Sequence, residues 1–115
     1  MEDALSSLTA VVPGASVKAV ADSVREPLER SASDALFTRA QGHASTLGLP
    51  PLDGVAVGGG SDGNLTAAIG VPTLDGLGAV GANAHAEGEW ASLDALPGRT
   101  ALVAALVRYL VEETR

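Results

Sequence analysis

One histidine stands among small residues and carboxylates in the second half of the sequence. His85 follows Asn83 and Ala84, and Glu87 and Glu89 come two and four residues after it. Imidazole is a common metal ligand and proton carrier, so this arrangement is typical of an accessible, ligand-like side chain. A single histidine cannot hold zinc, which takes three or four protein ligands. From spacing alone, a surface or hydrogen-bonded histidine is the more common interpretation.

A glycine-rich loop is the second segment whose residues indicate chemistry. Gly58, Gly60 and Gly63 satisfy G-x-G-x-x-G between a predicted strand and a predicted helix, as in dinucleotide-binding loops. Asp62 lies inside the loop, where a pyrophosphate would meet a like charge, and no acidic residue ends a following strand about 20 residues on. Three interpretations stay open: a sharp turn, a loop lining a site for a carboxylate-bearing substrate, and a nucleotide- or phosphate-binding module. The G-G-S-D-G context of Ser61 does not match a nucleophile elbow.

The elements around these segments alternate between helical and extended patterns. Helices are predicted at residues 4–11, 31–47 and 62–69 and in an amphipathic final segment that follows Pro97; strands are predicted at 16–20, 54–57 and 71–77. Residues 21–30 are interpreted as a linker or crossover, and residues 78–90 as a long irregular loop. From residue 31 onward, this order predicts an α/β layer with a mainly parallel sheet.

The ends of the second helix carry the clearest local signals. Ser31 or Ser33 is expected to cap its beginning, and Asp34 is expected in its first turn, where a negative charge suits the helix dipole. Gly48 and Pro50 are expected to end it.

Charge and composition exclude several classes of protein. The net charge of −7 argues against nucleic-acid binding and against an anionic membrane surface. No stretch approaches the roughly 20 apolar residues that span a bilayer. The sequence has no cysteine, so disulfides and thiolate metal sites are impossible. An acidic start where a signal peptide would be basic favours a cytoplasmic protein.

Three segments, taken together, resemble one enzyme family. Residues 58–64 (GGGSDGN), 70–78 (GVPTLDGLG) and 81–89 (GANAHAEGE), followed by a helix from about residue 93, resemble the carboxy-terminal motifs of certain zinc metallopeptidases. That family includes glutamate carboxypeptidase, acetylornithine deacetylase, succinyl-diaminopimelate desuccinylase and aminoacylase. The resemblance is specific over about sixty residues and extends less distinctly over the rest of the chain.

The resemblance implies a fold and a set of site residues. Residues 31–115 would be the carboxy-terminal half of an α/β catalytic domain, a three-layer sheet with flanking helices, and residues 1–30 the end of a lid or dimerisation domain. His85 would be the family's last zinc ligand. The glycine loop would line the pocket of a small N-acyl amino acid or peptide substrate through Gly59, Gly60, Ser61, Asp62 and Asn64.

The family's mechanism is hydrolysis of an amide bond by a water shared between two zinc ions, with a glutamate as base. The H-x-D pair, the bridging aspartate and the paired glutamates of the family are not in this sequence. We therefore expect a truncated or split metallo-hydrolase that is inactive alone, exposes a sheet edge, and depends on a missing half or on self-association. The alternatives are a small nucleotide- or phosphate-binding module and a non-catalytic interaction domain.

Overall fold

The described part of the chain contains four helices and two short strands, joined by segments without regular secondary structure. The computed structural model describes residues 2–20, 24–113 and 115. The elements in chain order are α1 (Glu2–Ser6), α2 (Arg30–Thr46), α3 (Asp62–Ala68), β1 (Gly81–Ala82), β2 (Trp90–Ala91) and α4 (Leu96–Glu113). The linker predicted over residues 21–30 falls partly on residues 21–23, which lie outside the described residues.

Helix α2 begins earlier than its sequence predicts. The predicted caps Ser31 and Ser33 are wrong, because the N-cap is Glu29 in an extended conformation and no side chain caps the helix. Since the helix starts at Arg30, Asp34 lies beyond the first turn. Its carboxylate instead accepts a hydrogen bond of 3.2 Å from Arg30 Nε. A pair of opposite charges four residues apart thus stabilises the first turns in place of a cap.

Glycine ends α2 as predicted. Gly48 has a φ of +68°, its N–H donates to the Ser45 carbonyl, and the Leu49 N–H donates to the Ala44 carbonyl at 2.9 Å. Only glycine adopts this left-handed conformation without steric cost, and the two bonds satisfy carbonyls that the helix leaves unpaired. Gly70, with a φ of +83°, follows α3 in the same conformation.

The other helix predictions are confirmed to different degrees. Helix α3 agrees with the predicted 62–69 within one residue, and α4 carries Pro97 in its first turn as expected. Helix α1 stops at Ser6, well before the predicted residue 11. No helix within the described ranges combines the length and the apolar character that a membrane span requires.

The contact between α2 and α4 forms the core. The buried side chains of the described residues are Ala40, Ala44, Leu102 and Leu106. Each helix contributes two residues spaced four apart, so each pair lies on one helix face. The partly buried side chains that pack against this core are Leu49, Leu52, Leu74 and Leu77.

An exposed cluster joins the same two helices away from the core. The Arg39 guanidinium lies 4.1 Å from the centre of the Tyr109 ring and donates a hydrogen bond of 3.3 Å to the Glu113 carboxylate. The Tyr109 hydroxyl donates to the same carboxylate, and this bond raises the pKa of Tyr109 above its ordinary value of 10.0. The His43 ring meets the Tyr109 ring edge-on at 6.0 Å. The cluster therefore adds an exposed polar contact between the two helices.

The three predicted strands are extended segments that pair with no other strand within the described residues. Residues 16–20, 54–57 and 71–77 belong to no β-ladder, and the one ladder present joins β1 to β2. Val55 and Val57 are each 76% exposed. A strand is defined by a ladder of hydrogen bonds to a neighbouring strand. The Thr73 N–H donates instead to the Ala32 carbonyl of α2 at 2.9 Å, and residues 54–57 make no backbone hydrogen bond within the described residues. The α/β domain fragment implied by the resemblance stays a prediction.

A hairpin forms where the sequence predicts an irregular loop. Strands β1 and β2 pair antiparallel, with Gly81 opposite Ala91 and Ala82 opposite Trp90. A side chain at position 81 would overlap the Trp90 carbonyl oxygen, so the pairing requires glycine there. The composition of residues 78–90, rich in glycine and alanine, hides this short ladder because it carries no alternating apolar pattern.

The chain exposes far more surface than a folded monomer of its size. Its accessible surface is 9125 Å², whereas a monomer of this mass exposes about 5,800 Å². Its radius of gyration is 19.6 Å, against about 13 Å for a compact domain of this length. The excess surface, on the order of 3,000 Å², leaves many apolar side chains in water.

Shortening a core side chain tests the helix pair. Leu102 is fully buried, so Leu102→Ala is expected to lower the free energy of unfolding by about 2–5 kcal/mol. Urea titration followed by far-ultraviolet circular dichroism measures the change. The control is Val11→Ala, at a side chain that is 94% exposed, for which we expect a change of at most about 0.5 kcal/mol. Equal effects of the two variants would contradict the assigned core.

Candidate functional site

Ser61 and Asn64 in the glycine loop serve as the cap of α3. The Ser61 hydroxyl accepts a hydrogen bond of 3.1 Å from the Gly63 N–H, and Asn64 Oδ1 accepts one of 2.9 Å from the Ser61 N–H. Asn64 Nδ2 donates to the Glu26 carbonyl at 2.9 Å, which attaches the loop to the preceding segment. Two of the predicted substrate-binding side chains are thus engaged in local structure. Such a reciprocal cap fixes the direction in which the chain enters the helix.

Asp75 is a residue of this site that the sequence did not indicate. The structure brings its carboxylate to Ser61, and the Gly76 N–H donates to it at 2.7 Å. The hydrogen bond from Ser61, followed by that from the Gly76 N–H, lowers the pKa of Asp75 below its ordinary value of 3.8. Asp75 is therefore an anion at neutral pH. Asp62 lies in the first turn of α3, and the Asp75 carboxylate approaches Ser61 from another segment; both negative charges argue against binding of a nucleotide phosphate here.

The remaining loop residues are exposed and have no backbone partner. The N–H groups of Gly59 and Gly60 make no backbone hydrogen bond within the described residues. Neither these two glycines nor Gly58 has a positive φ, and a Cβ added at Gly58 or Gly59 would meet no atom within 4 Å. The φ angles of these residues therefore do not require glycine, and they give no support to the interpretation of a sharp glycine-dependent turn. Open space and free N–H groups are what a loop that meets another molecule requires.

His85 lies on the exposed connection between β1 and β2. The connection is closed by a hydrogen bond from Asn83 Nδ2 to the Gly88 carbonyl at 3.3 Å, and the His85 N–H donates to the Glu89 carboxylate at 3.4 Å. His85 has a φ of +64° and Asn83 a φ of +60°, which are left-handed conformations uncommon outside glycine. The hairpin thus presents the imidazole to solvent on a short, internally bonded loop.

The donors of this chain do not by themselves fit a zinc centre. Among residues 2–20, 24–113 and 115, no group of three histidine, aspartate or glutamate side chains converges as a metal site would require. Near His85, the Glu89 carboxylate is engaged with the His85 backbone N–H. His85 is placed as a single donor, and zinc takes at least three from protein.

Two grooves lie beside the helix pair rather than at the predicted site. The smaller, of about 200 Å³, lies between the end of α2 and the segment that follows it, and includes Leu49 and Leu52. The larger, of about 580 Å³, runs along α4 beside residues 77–79 and includes Val103, Val107 and Arg108. Neither groove is lined by His85 or by the glycine loop. The predicted site residues therefore lie outside both grooves.

Comparison with known proteins gives no further assignment. No protein-family model, curated protein or solved structure matches this chain.

The link between Ser61 and Asp75 is testable by titration. Because the folded-state pKa of Asp75 is lowered, its hydrogen bonds stabilise the loop above pH 3.8, and this stabilisation is lost as the pH falls through the lowered value. Carboxyl chemical shifts measured by NMR should give a midpoint below 3.8. Ser61→Ala is expected to move it toward 3.8, whereas Ser45→Ala on α2 is not. An unchanged midpoint in Ser61→Ala would disprove the contact.

The hairpin is testable through its obligatory glycine. Gly81→Ala would place a methyl group against the Trp90 carbonyl, so the pairing of β1 with β2 should be lost. The expected readout is loss of the cross-strand nuclear Overhauser effects between residues 81 and 91 and a changed chemical shift of the His85 ring. Gly58→Ala is the matched control, since its added methyl group meets no atom within 4 Å. Retention of those cross-strand signals in Gly81→Ala would contradict the register.

Proposed function

We propose that this chain is the carboxy-terminal part of a dinuclear zinc amidohydrolase of the carboxypeptidase and deacylase kind. In this proposal, it hydrolyses the amide bond of a small N-acyl amino acid or peptide only when the rest of the catalytic domain is present. His85 contributes one zinc ligand, and the glycine loop contributes to the substrate pocket. The cytoplasmic location expected from the sequence is part of the same proposal.

The observation that carries this proposal is the exposed apolar segment at residues 54–57, which belongs to no β-ladder within the described residues. Residues 54–57 and 71–77 lie on either side of α3, and the first of them exposes its valines to water. Extended apolar runs of this kind are typical of strands inside a sheet covered on both faces. Their state in this chain is what is expected when neighbouring strands are supplied from outside it.

Two features of the site agree with the proposal. The free N–H groups of Gly59 and Gly60 and the open space around them suit the approach of a substrate. The imidazole of His85 is exposed on a loop held by its own hydrogen bonds, which suits a ligand that completes a site built from other residues. The carboxylates of Asp62 and Asp75 give no comparable support to the nucleotide-binding alternative.

Reconstitution tests the proposal. The chain alone is expected to bind less than one zinc ion and to show no hydrolysis of N-acyl amino acids, measured by metal analysis and by release of the free amine. Co-expression with an upstream half of such an enzyme, carrying the H-x-D pair and the two glutamates, is expected to restore both. His85→Ala should abolish the restored hydrolysis. His43→Gln, which changes the histidine beside Tyr109 on α2, should retain it.

Two results would count against the proposal. Turnover with two tightly bound zinc ions in the isolated chain would show that the site is complete. A complex that forms with the upstream half, yet binds no zinc and gives no hydrolysis, would show that the chain is not the missing part of such an enzyme.

A further inference from the structure

The sequence contains three aspartyl-glycyl pairs, at Asp53–Gly54, Asp62–Gly63 and Asp75–Gly76. An aspartate that precedes glycine can cyclise, because glycine has no side chain to hinder attack of its backbone nitrogen on the carboxyl group. The product is a succinimide, a cyclic imide that water opens to aspartate or to isoaspartate. Ring closure requires the glycine nitrogen to turn toward the carboxyl carbon, and hydrogen bonds that hold the N–H or the carboxyl group oppose this movement. The surroundings of each pair therefore decide which of them reacts.

The Asp62–Gly63 pair is held in helix α3. The Gly63 N–H donates to the Ser61 hydroxyl at 3.1 Å, as part of the cap that begins the helix. A Cβ at Gly63 would lie 3.3 Å from the Thr73 side chain and 3.5 Å from the Leu28 side chain, so neighbouring segments pack around this backbone. Turning the Gly63 nitrogen toward the carboxyl carbon would break the cap and disturb this packing.

The Asp75–Gly76 pair is held at both of its reacting groups. The Asp75 carboxylate accepts hydrogen bonds from Ser61 and, at 2.7 Å, from the Gly76 N–H, and Arg99 donates to the Gly76 carbonyl. Cyclisation expels a hydroxyl group, which leaves far more readily from a neutral carboxyl group than from a carboxylate. The hydrogen bonds lower the pKa of Asp75 and so keep it ionised. This pair is therefore expected to react slowly, although its two groups lie close together.

Neither reacting group of the Asp53–Gly54 pair is held in this way. Within the described residues, the Asp53 carboxylate forms no ion pair or hydrogen bond, and the Gly54 N–H has no acceptor. Both residues are exposed. The nearest preceding contact of this backbone is a long hydrogen bond of 3.5 Å from Gln41 Nε2 to the Leu52 carbonyl. Exposed backbone without hydrogen bonds changes conformation at little cost in free energy.

We propose that Asp53–Gly54 is the site at which the folded chain forms a succinimide and then isoaspartate. The Gly54 nitrogen forms a bond with Asp53 Cγ, and the carboxyl hydroxyl and the amide hydrogen leave together as water. A water molecule then adds to one of the two imide carbonyls and breaks its bond to the Gly54 nitrogen. Breaking the bond at the Asp53 backbone carbonyl gives isoaspartate, and breaking the other bond restores aspartate. No oxidant, reductant or further reactant takes part.

Isoaspartate at this position would change the chain between two contacts. Leu52, directly before the pair, packs against the core, and Gly54 lies beside the Phe37 ring of α2. In isoaspartate, the main chain runs through Cβ and Cγ, so it is longer by one carbon atom, and the former backbone carbonyl becomes a free carboxylate. The inference goes beyond the proposed function and depends neither on zinc nor on the rest of a catalytic domain.

Peptide mapping of the aged chain tests the site. The whole chain is incubated at neutral pH and physiological temperature, either folded or in urea. Isoaspartyl peptides have the mass of the aspartyl peptides but a different retention time, and electron-transfer fragmentation assigns their position. In the folded chain, isoaspartate is expected at residue 53 well before residues 62 and 75. In urea, where the protecting hydrogen bonds are lost, the three positions are expected to react at similar rates.

Three results of this experiment would overturn the inference. Residue 62 or 75 could react first in the folded chain, or residue 53 could stay unreacted there while the chain in urea reacts. Residue 53 could also keep the same advantage in urea, in which case the neighbouring sequence and not the fold would select it.

Substitution of the glycine tests the reaction at residue 53. Gly54→Ala should abolish isoaspartate there, because the added methyl group hinders the attacking nitrogen. That methyl group would lie at an ordinary contact distance of 3.5 Å from the Phe37 ring, so the helices should keep their circular dichroism. Gly58→Ala, whose methyl group meets no atom within 4 Å, is the matched control and should leave the rate at residue 53 unchanged. Equal rates in the two variants would contradict the assigned site.

Removal of one hydroxyl tests the protection of the other two pairs. Ser61 accepts from the Gly63 N–H and donates to the Asp75 carboxylate, so Ser61→Ala removes a hydrogen bond from each pair. Isoaspartate at residues 62 and 75 is expected to rise in this variant, while the rate at residue 53 stays the same. An unaltered pattern in Ser61→Ala would show that these hydrogen bonds do not select the reacting pair, and the inference would fail.

Discussion

The close approach of α4 to α2 is the contact on which the rest of the described structure depends. Ala40 and Ala44 provide a face of methyl groups into which Leu102 and Leu106 fit, so the helices meet without a bulky side chain on the α2 side. The Arg39–Tyr109–Glu113 cluster adds an exposed polar contact between them. Small residues on one helix and leucines on the other make this packing specific, because few other registers bring complementary shapes together.

Segments outside the helices are attached to this pair by a few directed contacts. Arg99 of α4 donates to the carbonyls of Gly76 and Gly78, and the turn that ends α2 carries Leu49 against Gly98. A Cβ at position 98 would lie 2.7 Å from Leu49 Cδ2, so a side chain there would require the end of Leu49 to move. The Asp75 turn follows from the same arrangement, since Arg99 anchors the residues next to it. The Thr73 N–H also donates to the Ala32 carbonyl of α2 at 2.9 Å. The site thus depends on the helix pair through Arg99, this hydrogen bond and one turn.

Because the core is small, much of the chain gains little free energy from apolar burial to offset the entropy lost on folding. Ordering one residue costs about 1–2 kcal/mol of backbone entropy, which apolar burial has to offset. In this chain, burial is concentrated where α2 meets α4, while residues 54–57 remain open. The physical consequence is that residues 54–57 gain little from burial within the described chain. Incomplete burial therefore connects the fold with the proposed function.

Sequence reasoning succeeded where the cause of a structure is local. Gly48 and Gly70 end their helices because they adopt a positive φ, and Pro97 fits the first turn of α4 because a helix does not need its missing N–H there. The strands could not be predicted in the same way, because a strand requires hydrogen bonds to another strand that is distant in sequence. The approach of Asp75 to Ser61 was equally hidden, because it joins residues fourteen positions apart through the turn that Arg99 holds. The N-cap of α2 is Glu29 rather than a serine, and the first turns carry an exposed ion pair between Arg30 and Asp34 where a side-chain cap was expected.

Positive φ angles occur at His85 and Asn83 and not at the three glycines of residues 58–60. Gly58, Gly59 and Gly60 do not use the positive φ that glycine permits, whereas His85 adopts a φ of +64° at a cost that glycine would avoid. Local folding alone would favour the opposite distribution, with side chains at positions 58–60 and glycine at 85. Strained residues persist where the surrounding structure or a function requires their side chain. The conformations of the two loops are therefore not explained by local folding alone, which agrees with the proposal that both meet parts of a larger catalytic domain.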